Sequence, residues 1–534
     1  MRRVLTTSDR TDRRTAAVLV VVIVVIGLLS LGAYTFSEFM LIEATSGNYH
    51  LAAVQSRAAA DSGVELVASY LADRTLRTSS TSYNDPSLFQ NQSLGSSPDG
   101  SDDLLPRFSV VSPISNDPSG TKVRFGLIDE SSRINLNTLA SLDIELPQQQ
   151  LFLMGIPLMT PEIADAILDW IDGDSLPRSG GAEQDSYNGQ SPAVSVRNAP
   201  LASLDELLLI RGVTPDLLFG EDLNRNGLLD PNENDGPAQP PEDNADGQLQ
   251  RGWNDSFTIH SRESNVRADG TKKININVSS LDTLFTAVER ELGLEAAKFV
   301  IAYRTVQQTS GTAGGPGNSA GGGRRRGGGG GNNPAPPQEL VGGIDISGGG
   351  KVTVASLYEM IGKEMQVKVD GSDTTLKSPW QNDPNAMIQY LPTLFDTFSL
   401  DDASHRSGRI NINQAPQEVL MNIPGLDPQV VQAIVAAQDS ADANDDSPDR
   451  RTAGWLVIRQ LVPLTKMIEL DPYLTTQGDV YRFQVVGYSE KGGPMTRLEA
   501  ILDATGLNPA LLKFQDLTRL GAGYSREQLG VPPP

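Results

Sequence analysis

The stretch TAAVLVVVIVVIGLLSLGAYTFS, from Thr15 to Ser37, decides the fold because it carries no charge and is long enough to cross a lipid bilayer. About 20 apolar helical residues suffice for one crossing. Arginines are concentrated just before it, at Arg2, Arg3, Arg10, Arg13 and Arg14. Because positively charged flanks stay on the cytoplasmic side of a membrane, the sequence predicts a cytoplasmic N-terminus and an exported remainder.

A cleaved signal peptide is the alternative explanation of this stretch. The apolar region of a signal peptide spans about 7–15 residues, which is shorter than the stretch in this chain. No Ala-x-Ala cleavage site directly follows Ser37. We therefore predict a transmembrane helix that is retained.

The helical pattern continues beyond the membrane. The residues that follow, EFMLIEATSGNYHLAAVQSRAAADSGVELVASYLADR (Glu38 to Arg74), place Ala, Leu and Val at helical spacing. We predict one continuous helix from the membrane to about Arg74, with an amphipathic outer half.

The composition excludes several kinds of chemistry. The chain has 534 residues, a formal net charge of −23, no Cys and three His: His50, His260 and His405. Without Cys there is no disulfide, no thiolate metal ligand and no Cys nucleophile. The scattered His lack metal-ligand spacing, which argues against a His-based zinc or hydrolase centre. The negative charge disfavours a polyanionic partner and favours cation binding.

Alternating segments near both ends of the exported part predict a sheet. PRFSVVSPI (106–114) and TKVRFGLIDE (121–130) alternate like strands. DVYRFQVVGYSEKGGPMTRLEAILD (479–503) predicts a hairpin that turns at Glu490 to Pro494. We expect the early and late strands to form one sheet with the intervening residues inserted. The predicted fold class is therefore α+β: a transmembrane and stalk helix, a sheet domain and a large helical insertion.

A short motif occurs three times in the insertion, as RINLN (133–137), KININ (273–277) and RININ (409–413). Each copy predicts a short strand that ends in an Asn suited to cap a helix N-terminus. Helix–turn–helix patterns follow all three copies, and a half-copy begins at Asn198. We therefore predict helix-hairpin-helix units.

Shifts in composition divide the chain into segments. From Ser310 to Pro337 the chain is rich in Gly and contains three successive Arg, a composition that buries no core and predicts disorder. The predicted divisions are a cytoplasmic leader (1–14), a transmembrane helix (15–37), its stalk continuation (38–75), a pilin-like α/β domain (76–132 and 472–534), an inserted helical domain with calcium-type loops (133–305), the Gly/Arg-rich segment (306–350) and a second inserted helical region (351–471).

The block WIDGDSLPRSGGAEQDSY (Trp170 to Tyr187), followed by RNAPLASLDELLLIRGVT (197–214), resembles the signature of general secretion pathway protein K. Proteins of that family are the large minor pseudopilins of type II secretion systems. The N-terminal helix, the sheet around a helical insertion and the late hairpin are also similar to it. The resemblance implies a non-enzymatic assembly protein that sits at the tip of a pseudopilus, primes its assembly and supports export across the outer membrane.

The resemblance also implies a location and partners. It implies a single-pass protein of the inner membrane whose bulk is periplasmic, with other minor pseudopilins and the inner-membrane secretion platform as partners. It further implies cleavage by a prepilin peptidase, although DRRTAAVLVVV (12–22) has no Gly to mark the cut. The same stretch lacks the Glu that most mature pilins have at their fifth position. That absence agrees with the protein K family and with a subunit at the very tip.

The stretch DLNRNGLLDPNE has the residue order of a calcium-binding EF-hand loop. Gly227 permits the sharp turn, whereas Pro231 is unusual where the exiting helix begins. An Asn- and Asp-rich surface loop is the alternative, but all the ligand positions fit calcium. Two Asn in place of Asp indicate a weak site, of about 10⁻⁴–10⁻³ M. The predicted ligands are Asp222, Asn224, Asn226, the carbonyl of Leu228, Asp230 and Glu233.

A second acidic cluster comprises Asp169, Asp172, Asp174 and Glu183. Paired carboxylates can act as acid and base catalysts, which is one explanation of the cluster. However, three Asp at the C-terminal end of a predicted helix oppose the helix dipole and repel one another unless a cation neutralises them. The resembled family binds calcium within its helical domain. We therefore predict structural calcium here rather than catalysis.

Nucleic acid is the remaining candidate partner. The third repeat also resembles the helix-hairpin-helix of competence DNA receptors, so a membrane-anchored DNA-uptake or adhesion protein is the alternative function. Such modules bind phosphate through hairpin amides and nearby Lys or Arg. This repeat has one Arg, at Arg409, and no Lys, but it contains Glu418, Asp427 and Asp439. We therefore predict no nucleic-acid binding.

Overall fold

The computed structural model describes residues 9–77, 82–95, 105–114, 116–139, 146–189, 193–241, 243–306, 339–440, 447–490 and 492–531. Most of the predicted leader and most of the Gly/Arg-rich segment lie outside the described residues.

Helices and short strands alternate along the described chain. The helices are α1 (Asp9–Ala72), α2 (Arg74–Arg77), α3 (Pro86–Phe89), α4 (Leu136–Leu139), α5 (Leu146–Met154), α6 (Pro161–Ile171), α7 (Gln184–Tyr187), α8 (Pro215–Phe219), α9 (Trp253–Ser256), α10 (Leu281–Leu292), α11 (Leu294–Thr305), α12 (Pro384–Thr397), α13 (Gln417–Leu420), α14 (Pro428–Ser440), α15 (Trp455–Ile458) and α16 (Leu464–Leu470). The strands are β1 (Gln92–Ser93), β2 (Pro106–Pro113), β3 (Val123–Arg124), β4 (Ile128–Asp129), β5 (Ile134–Asn135), β6 (Phe257–Thr258), β7 (Arg262–Ser264), β8 (Ile274–Asn275), β9 (Leu340–Val341), β10 (Ile344–Asp345), β11 (Glu364–Val369), β12 (Ser372–Lys377), β13 (Phe398–Ser399), β14 (His405–Ser407), β15 (Ile410–Asn411), β16 (Leu474–Thr475), β17 (Val480–Ser489), β18 (Thr496–Asp503) and β19 (Ala510–Asp516).

Helix α1 joins the membrane-length stretch to the folded part of the chain. It is continuous over 64 residues, so the predicted single helix is confirmed, ending two residues before Arg74. All its side chains from Val18 to Leu51 are exposed. This part of the helix reaches a mean hydropathy of 2.6, and it is apolar and long enough to cross a membrane. From Ser56 onward, the helix buries every third or fourth residue against the sheet.

The outer part of α1 packs on an antiparallel sheet whose strands differ in length. Its strand order is β1-β2-β17-β18-β19, with β3 added beside β2 and β4 beside β17. Val485 on β17 lies opposite Val110 on β2 and opposite Leu498 on β18. The early and late strands therefore form one sheet, as the alternating patterns predict, and the residues between them are inserted. The α+β fold class is confirmed.

Glycines allow the helix to lie very close to the sheet. A Cβ at Gly487 on β17 would overlap the backbone carbonyl of Ser56, and a Cβ at Gly63 on α1 would overlap the side chains of Val485 and Phe108. The surrounding core is apolar, so burial of its side chains supplies the main stabilisation of this layer. Its aromatic members are Tyr70, Phe89, Phe108, Phe125, Tyr481, Phe483, Tyr488 and Tyr524.

Three similar units fill the insertion between β4 and β17, and they share one larger core. In each unit, the strand formed by the repeated motif pairs in parallel with a strand that closes the unit. These pairs are β5 with β6, β8 with β13, and β15 with β16. Each unit also contains a pair of helices joined by a short turn: α5 with α6, α10 with α11, and α13 with α14.

The last Asn of each motif has a different role from the predicted one. Asn137 does not cap a helix: its side chain donates to the carbonyl of Leu201 at 3.0 Å and accepts from the Leu201 N–H at 2.7 Å. Asn277 makes the same two bonds to Val354, both at 2.9 Å. The following helix α10 is instead capped by Ser280. The prediction of Asn caps is therefore wrong, because the amide pairs with a distant backbone segment as a peptide group would.

Buried charges join the insertion to the sheet. Glu130 accepts hydrogen bonds from Arg482 Nε on β17 at 2.8 Å and from Arg133 Nη1 at 2.6 Å. Arg133 also binds Asp255, just before the strand that closes the first unit. Burial alone would raise the pKa of Glu130, but the two guanidinium groups lower it to about 2. This network fixes the first unit on the sheet.

Candidate metal centre

Helix α6 positions the acidic cluster that the sequence singles out. Thr160 caps its N-terminus through the N–H of Ile163, and Pro161 occupies the first turn, where its missing N–H costs nothing. The inner face of the helix buries Ile167, Leu168 and Trp170. The helix ends at Ile171, so the next residues enter a loop that returns along the helix to α7.

Asp169 holds this loop through hydrogen bonds to its backbone. Its carboxylate is fully buried and accepts hydrogen bonds from the backbone N–H of Arg178, at 3.2 Å, and of Ala182, at 2.8 Å. The Arg178 side chain adds an ion pair at 3.4 Å. Burial raises the pKa of Asp169 to about 6, against the lowering effect of these donors. Gly181 has no room for a Cβ, which would overlap Asp169.

Asp172, Asp174 and Glu183 converge at the mouth of the loop, and we call them the acidic triad. One carboxylate oxygen from each lies within 4.8 Å of the other two. Asp169, the fourth predicted ligand, is not part of this group. Within the described part of the chain, the triad is the only group of three or more carboxylate or His side chains that meets this spacing.

Three oxygens of the triad lack a hydrogen-bond donor, whereas Oδ1 of Asp174 accepts from the N–H of Leu176 at 2.8 Å. Both carboxylate oxygens of Glu183 and Oδ1 of Asp172 are buried and have no hydrogen-bond partner among the described residues. Glu183 is only 6% exposed. Burial and the neighbouring carboxylates of Asp172 and Asp174 raise the pKa of Glu183. Burial, with Asp174, likewise raises the pKa of Asp172. The nearest cation, Arg178, reaches Asp172 at 3.6 Å and leaves the site with excess negative charge.

Asn198 adds a further oxygen, which the sequence analysis did not identify as a ligand. Its Nδ2 donates to the carbonyl of Asp174 and to the Ser175 hydroxyl, so its Oδ1 is left buried and without a donor. Asn198 has a positive φ of 45°, a backbone conformation that Asn tolerates better than most residues. The sequence feature that could have identified Asn198 as a ligand is its position directly before Ala199-Pro200 in the signature block.

Carboxylate and amide oxygens are the ligands that calcium prefers in proteins. The three carboxylates of the acidic triad, with the Asn198 side chain beside Glu183, therefore offer the oxygen ligands that a hard cation prefers. An acid–base pair would need access to a substrate, whereas Glu183 is buried. The arrangement supports metal binding better than catalysis.

The loop from Asp222 to Glu233 is arranged differently. Asp222 accepts from the N–H of Asn226, at 3.0 Å, and of Gly227, at 2.8 Å. The side-chain amide of Asn226 donates to Asp230 at 3.1 Å, and Glu233 accepts from the N–H of Leu223 and Asp230. The N–H of buried Leu228 donates to Asn226 Oδ1. Asn224 also donates to Asp230, at 2.5 Å.

Protein donors thus engage at least one side-chain oxygen of each of the five predicted side-chain ligands in this loop. Burial raises the pKa of Asp222 to about 6 and that of Glu233 to about 7. Pro231 begins a single 3-10 turn that ends at Glu233 rather than a long exiting helix. The carboxylates of Asp222, Asp230 and Glu233 do not converge as the acidic triad does. Calcium binding by this loop stays a prediction.

The loop is held on the sheet by its backbone. Four successive carbonyls, from Asn224 to Gly227, accept hydrogen bonds from other parts of the chain. Their donors are Arg497 on β18, Gln484 on β17, the Tyr524 hydroxyl and Arg251. The loop therefore connects the insertion to the sheet through protein contacts.

The hairpin turns of the first and third units contact each other. The N–H of Gly155, in the turn after α5, donates to Asn422 Oδ1 in the turn after α13 at 2.7 Å. Asn422 in turn donates to the carbonyl of Glu418. The hairpin amide of Gly155, in the first unit, is thus engaged within the chain and is not free to bind a phosphate.

Comparisons with known proteins identify one part of the chain. Residues 132–219 match the first domain of the family "Type II secretion system (T2SS), protein K". The chain is also 39% identical over 57 residues to the type II secretion system protein K of Klebsiella pneumoniae. That alignment covers 11% of this chain and 18% of the relative, so it spans about a fifth of the relative's length. The resemblance to the protein K family is confirmed for the matched segment.

A solved structure is similar at a much greater distance. It is the crystal structure of the GspK-GspI-GspJ complex from the type 2 secretion system of enterotoxigenic Escherichia coli. The match covers 89% of this chain and 98% of that chain, with 12% sequence identity and a TM-score of 0.31.

Proposed function

We propose that this chain, whose residues 132–219 belong to the type II secretion system protein K family, is a minor pseudopilin of a type II secretion system. The observation that carries the proposal is the position of that segment. It is inserted into a sheet that packs on a helix of membrane-spanning length and character. A protein of this shape is stored in the bilayer by its helix and assembles into a filament without catalysis.

The ends of the molecule suit a subunit at the filament tip. The exposed apolar length of α1, from Val18 to Val54, provides the membrane anchor and later the filament packing surface. The insertion is contacted at the opposite end of α1, where Arg74, in the short helix α2 that follows, donates to the hydroxyl of Ser264 on β7 at 3.4 Å. Bulk at that end would prevent a further subunit from adding above. Other minor pseudopilins below are the partners that this arrangement requires.

The location follows from the anchor. The positive leader places the N-terminus in the cytoplasm and the folded part in the periplasm, with α1 in the inner membrane. In that position the chain meets the secretion platform in the membrane and, before assembly, a prepilin peptidase. These partners are part of the proposal.

Calcium at the acidic triad completes the proposal. The support is the set of buried oxygens without donors, which a divalent cation would satisfy. Bound there, the ion would fix the loop after α6 and supply structural stability, with no chemical step. The predicted loop at Asp222 is a second, separate candidate for the same ion.

A DNA-uptake function is not favoured. The chain carries a net charge of −23, which opposes the approach of a polyanion. The third repeat, which resembles a DNA-binding unit, has a single Arg and no Lys to pair with phosphate. Tight binding of a duplex by the full-length protein at low salt would reverse this conclusion.

Loss of secretion tests the proposed function. Deletion of the gene in the source organism should abolish export of proteins across the outer membrane, and the intact gene should restore it. As a cheap first observation, genes for a secretion ATPase, a platform protein and other pseudopilins should lie nearby. Normal export by the deletion strain would contradict the proposal.

A further inference from the structure

The sheet is wider than the helix that covers it. Helix α1 packs against β2, β17 and β18. Neighbouring strands lie about 4.8 Å apart and a helix with its side chains is about 10 Å across, so one helix covers roughly two or three strands. Strand β19 lies beyond β18 at the edge of the sheet. Among the described elements, β19 packs mainly against its neighbour β18.

The face of β19 on the α1 side of the sheet is apolar. Phe514 lies opposite Ala500, and a bulge sets Leu511 opposite Leu502, with Leu512 as the extra residue. Ala500 and Leu502 both belong to the core beneath α1, so their partners on β19 face the same side of the sheet. Leu511, Leu512 and Phe514 are nevertheless 54%, 37% and 42% exposed. Three neighbouring apolar side chains on one strand face are thus left to solvent.

Helix α1 forms a wall beside this strand. The guanidinium of Arg57 lies 5.7 Å from the centroid of the Phe514 ring and binds Asp516 at 2.5 Å. Arg57 also pairs with Asp61 one turn along the helix, at 3.2 Å. One turn in the other direction, Val54 is exposed. We call the trough between this wall and the floor formed by Leu511, Leu512 and Phe514 the β19 groove.

We propose that the β19 groove binds the N-terminal helix of another pilin-type subunit, which lies alongside α1. This inference rests on the proposed function and adds the surface and the class of partner. The groove opens directly into the exposed apolar length of α1, Val18 to Val54. A neighbouring helix that runs parallel to α1 therefore buries both surfaces with one continuous apolar face.

The dimensions and charge of the groove define its occupant. Strand β19 has seven residues, which corresponds to roughly 20 Å and to about 14 residues of a helix. The charged groups at the wall are Arg57, Asp61 and Asp516, one positive and two negative, so the net charge is −1. We expect the occupant to present an apolar face with a Lys or Arg opposite this wall. A helix fits better than an added strand because the apolar surface is the face of β19 and not its edge.

The absence of Cys makes a site-specific cross-linking experiment direct. The single variant Leu512→Cys places a thiol in the groove, and Leu507→Cys places one in the turn before β19, where the side chain is 79% exposed. Each full-length variant is labelled with benzophenone-maleimide in membranes that contain the other pseudopilins of the system. After illumination, the cross-linked peptides are identified by mass spectrometry.

The expected result is a cross-link from position 512 to the N-terminal helix of another pseudopilin, with none from position 507. A cross-link to a second copy of this chain, to a strand of a globular domain, or to nothing while the partners co-purify would overturn the inference and leave the proposed function intact. If the wild-type chain retains no other pseudopilin, the proposed function fails and this inference with it.

A substitution provides the second readout. Phe514→Glu should reduce the partner retained by the full-length chain at least tenfold, because it puts a charge on the apolar floor. Leu507→Glu is the matched control and should retain the partner as the wild type does. Equal retention by both variants would also overturn the inference.

Discussion

The acidic triad gives the sharpest prediction about this chain, because calcium should reverse the effect of one substitution. Glu183→Gln keeps the shape of a buried side chain and removes its charge. Asp185→Asn is the matched control: Asp185 lies in the short helix α7, two residues after Glu183, but it is exposed and outside the triad. Relative to this control, we expect Glu183→Gln to be at least as stable without calcium and less stable with calcium.

The magnitude follows from the geometry. Two unit charges 4.8 Å apart repel by about 3 kcal/mol at an effective dielectric constant of about 20, and water around exposed Asp174 reduces this value. Without calcium, Glu183→Gln should therefore be neutral or more stable than the wild type by about 1–2 kcal/mol. With calcium at 100 times its dissociation constant, the wild type gains about 2.7 kcal/mol that the variant cannot recover.

The assay is urea denaturation of the full-length protein in detergent, with EGTA or with millimolar calcium. The wild type and Asp185→Asn should both gain stability on adding calcium, whereas Glu183→Gln should gain little. If calcium leaves the wild-type midpoint unchanged, the reasoning about the triad is refuted. If Glu233→Gln loses the calcium effect and Glu183→Gln keeps it, the ion lies in the EF-hand-like loop instead.

Three further predictions concern the framework. Gly487→Val should destabilise the sheet by about 1–3 kcal/mol, because its side chain would overlap the backbone of α1, whereas Gly506→Val has room and should change the urea midpoint little. The pKa of Glu130 is lowered to about 2, so its pairing stabilises the fold above about pH 4.5 by about 3 kcal/mol and is lost as pH falls toward 2. The stability gap between wild type and Glu130→Gln should therefore shrink steadily below pH 4.5, and a constant gap would contradict the assignment. Asn277→Ala should cost about 1–3 kcal/mol in the same denaturation assay, because it removes two backbone contacts between distant segments, and a loss below about 0.5 kcal/mol would contradict their role.

The features that the sequence predicts well are those with a local period. Helix α1 follows from a charge-free stretch that continues at helical spacing, and the sheet follows from alternation at 106–113 and 480–503. Both signals depend on residues a few positions apart, so burial of one face determines the structure directly. The short strands of the three repeated motifs could be predicted for the same reason, because each motif alternates over adjacent residues.

The role of the repeated Asn residues was not predictable from this local pattern. Asn137 binds Leu201, which is 64 positions away, and Asn277 binds Val354, 77 positions away. A second repeated motif in the sequence could have indicated these contacts: LASLDEL begins at Leu201 and VASLYEM begins at Val354. Comparing the two repeats would have placed each Asn opposite the start of such a segment.

The two calcium predictions differ for a physical reason. An EF-hand order of residues specifies which side chains carry oxygen, but it does not specify which of those oxygens other parts of the chain will occupy. In the loop after Asp222, backbone N–H groups and two Asn side chains take that place. In the acidic triad, three buried carboxylate oxygens have no hydrogen-bond donor, and the Asn198 side chain, from a later segment, also has a buried oxygen without one.

Co-purification tests the central claim most directly. The full-length chain, extracted in mild detergent from cells that express its neighbouring secretion genes, should bring down other minor pseudopilins in fixed stoichiometry. A variant that lacks residues 15–37 should lose that association, because it lacks the apolar helix. A wild-type chain that purifies alone, or that brings down nucleic acid instead of pseudopilins, would contradict the account.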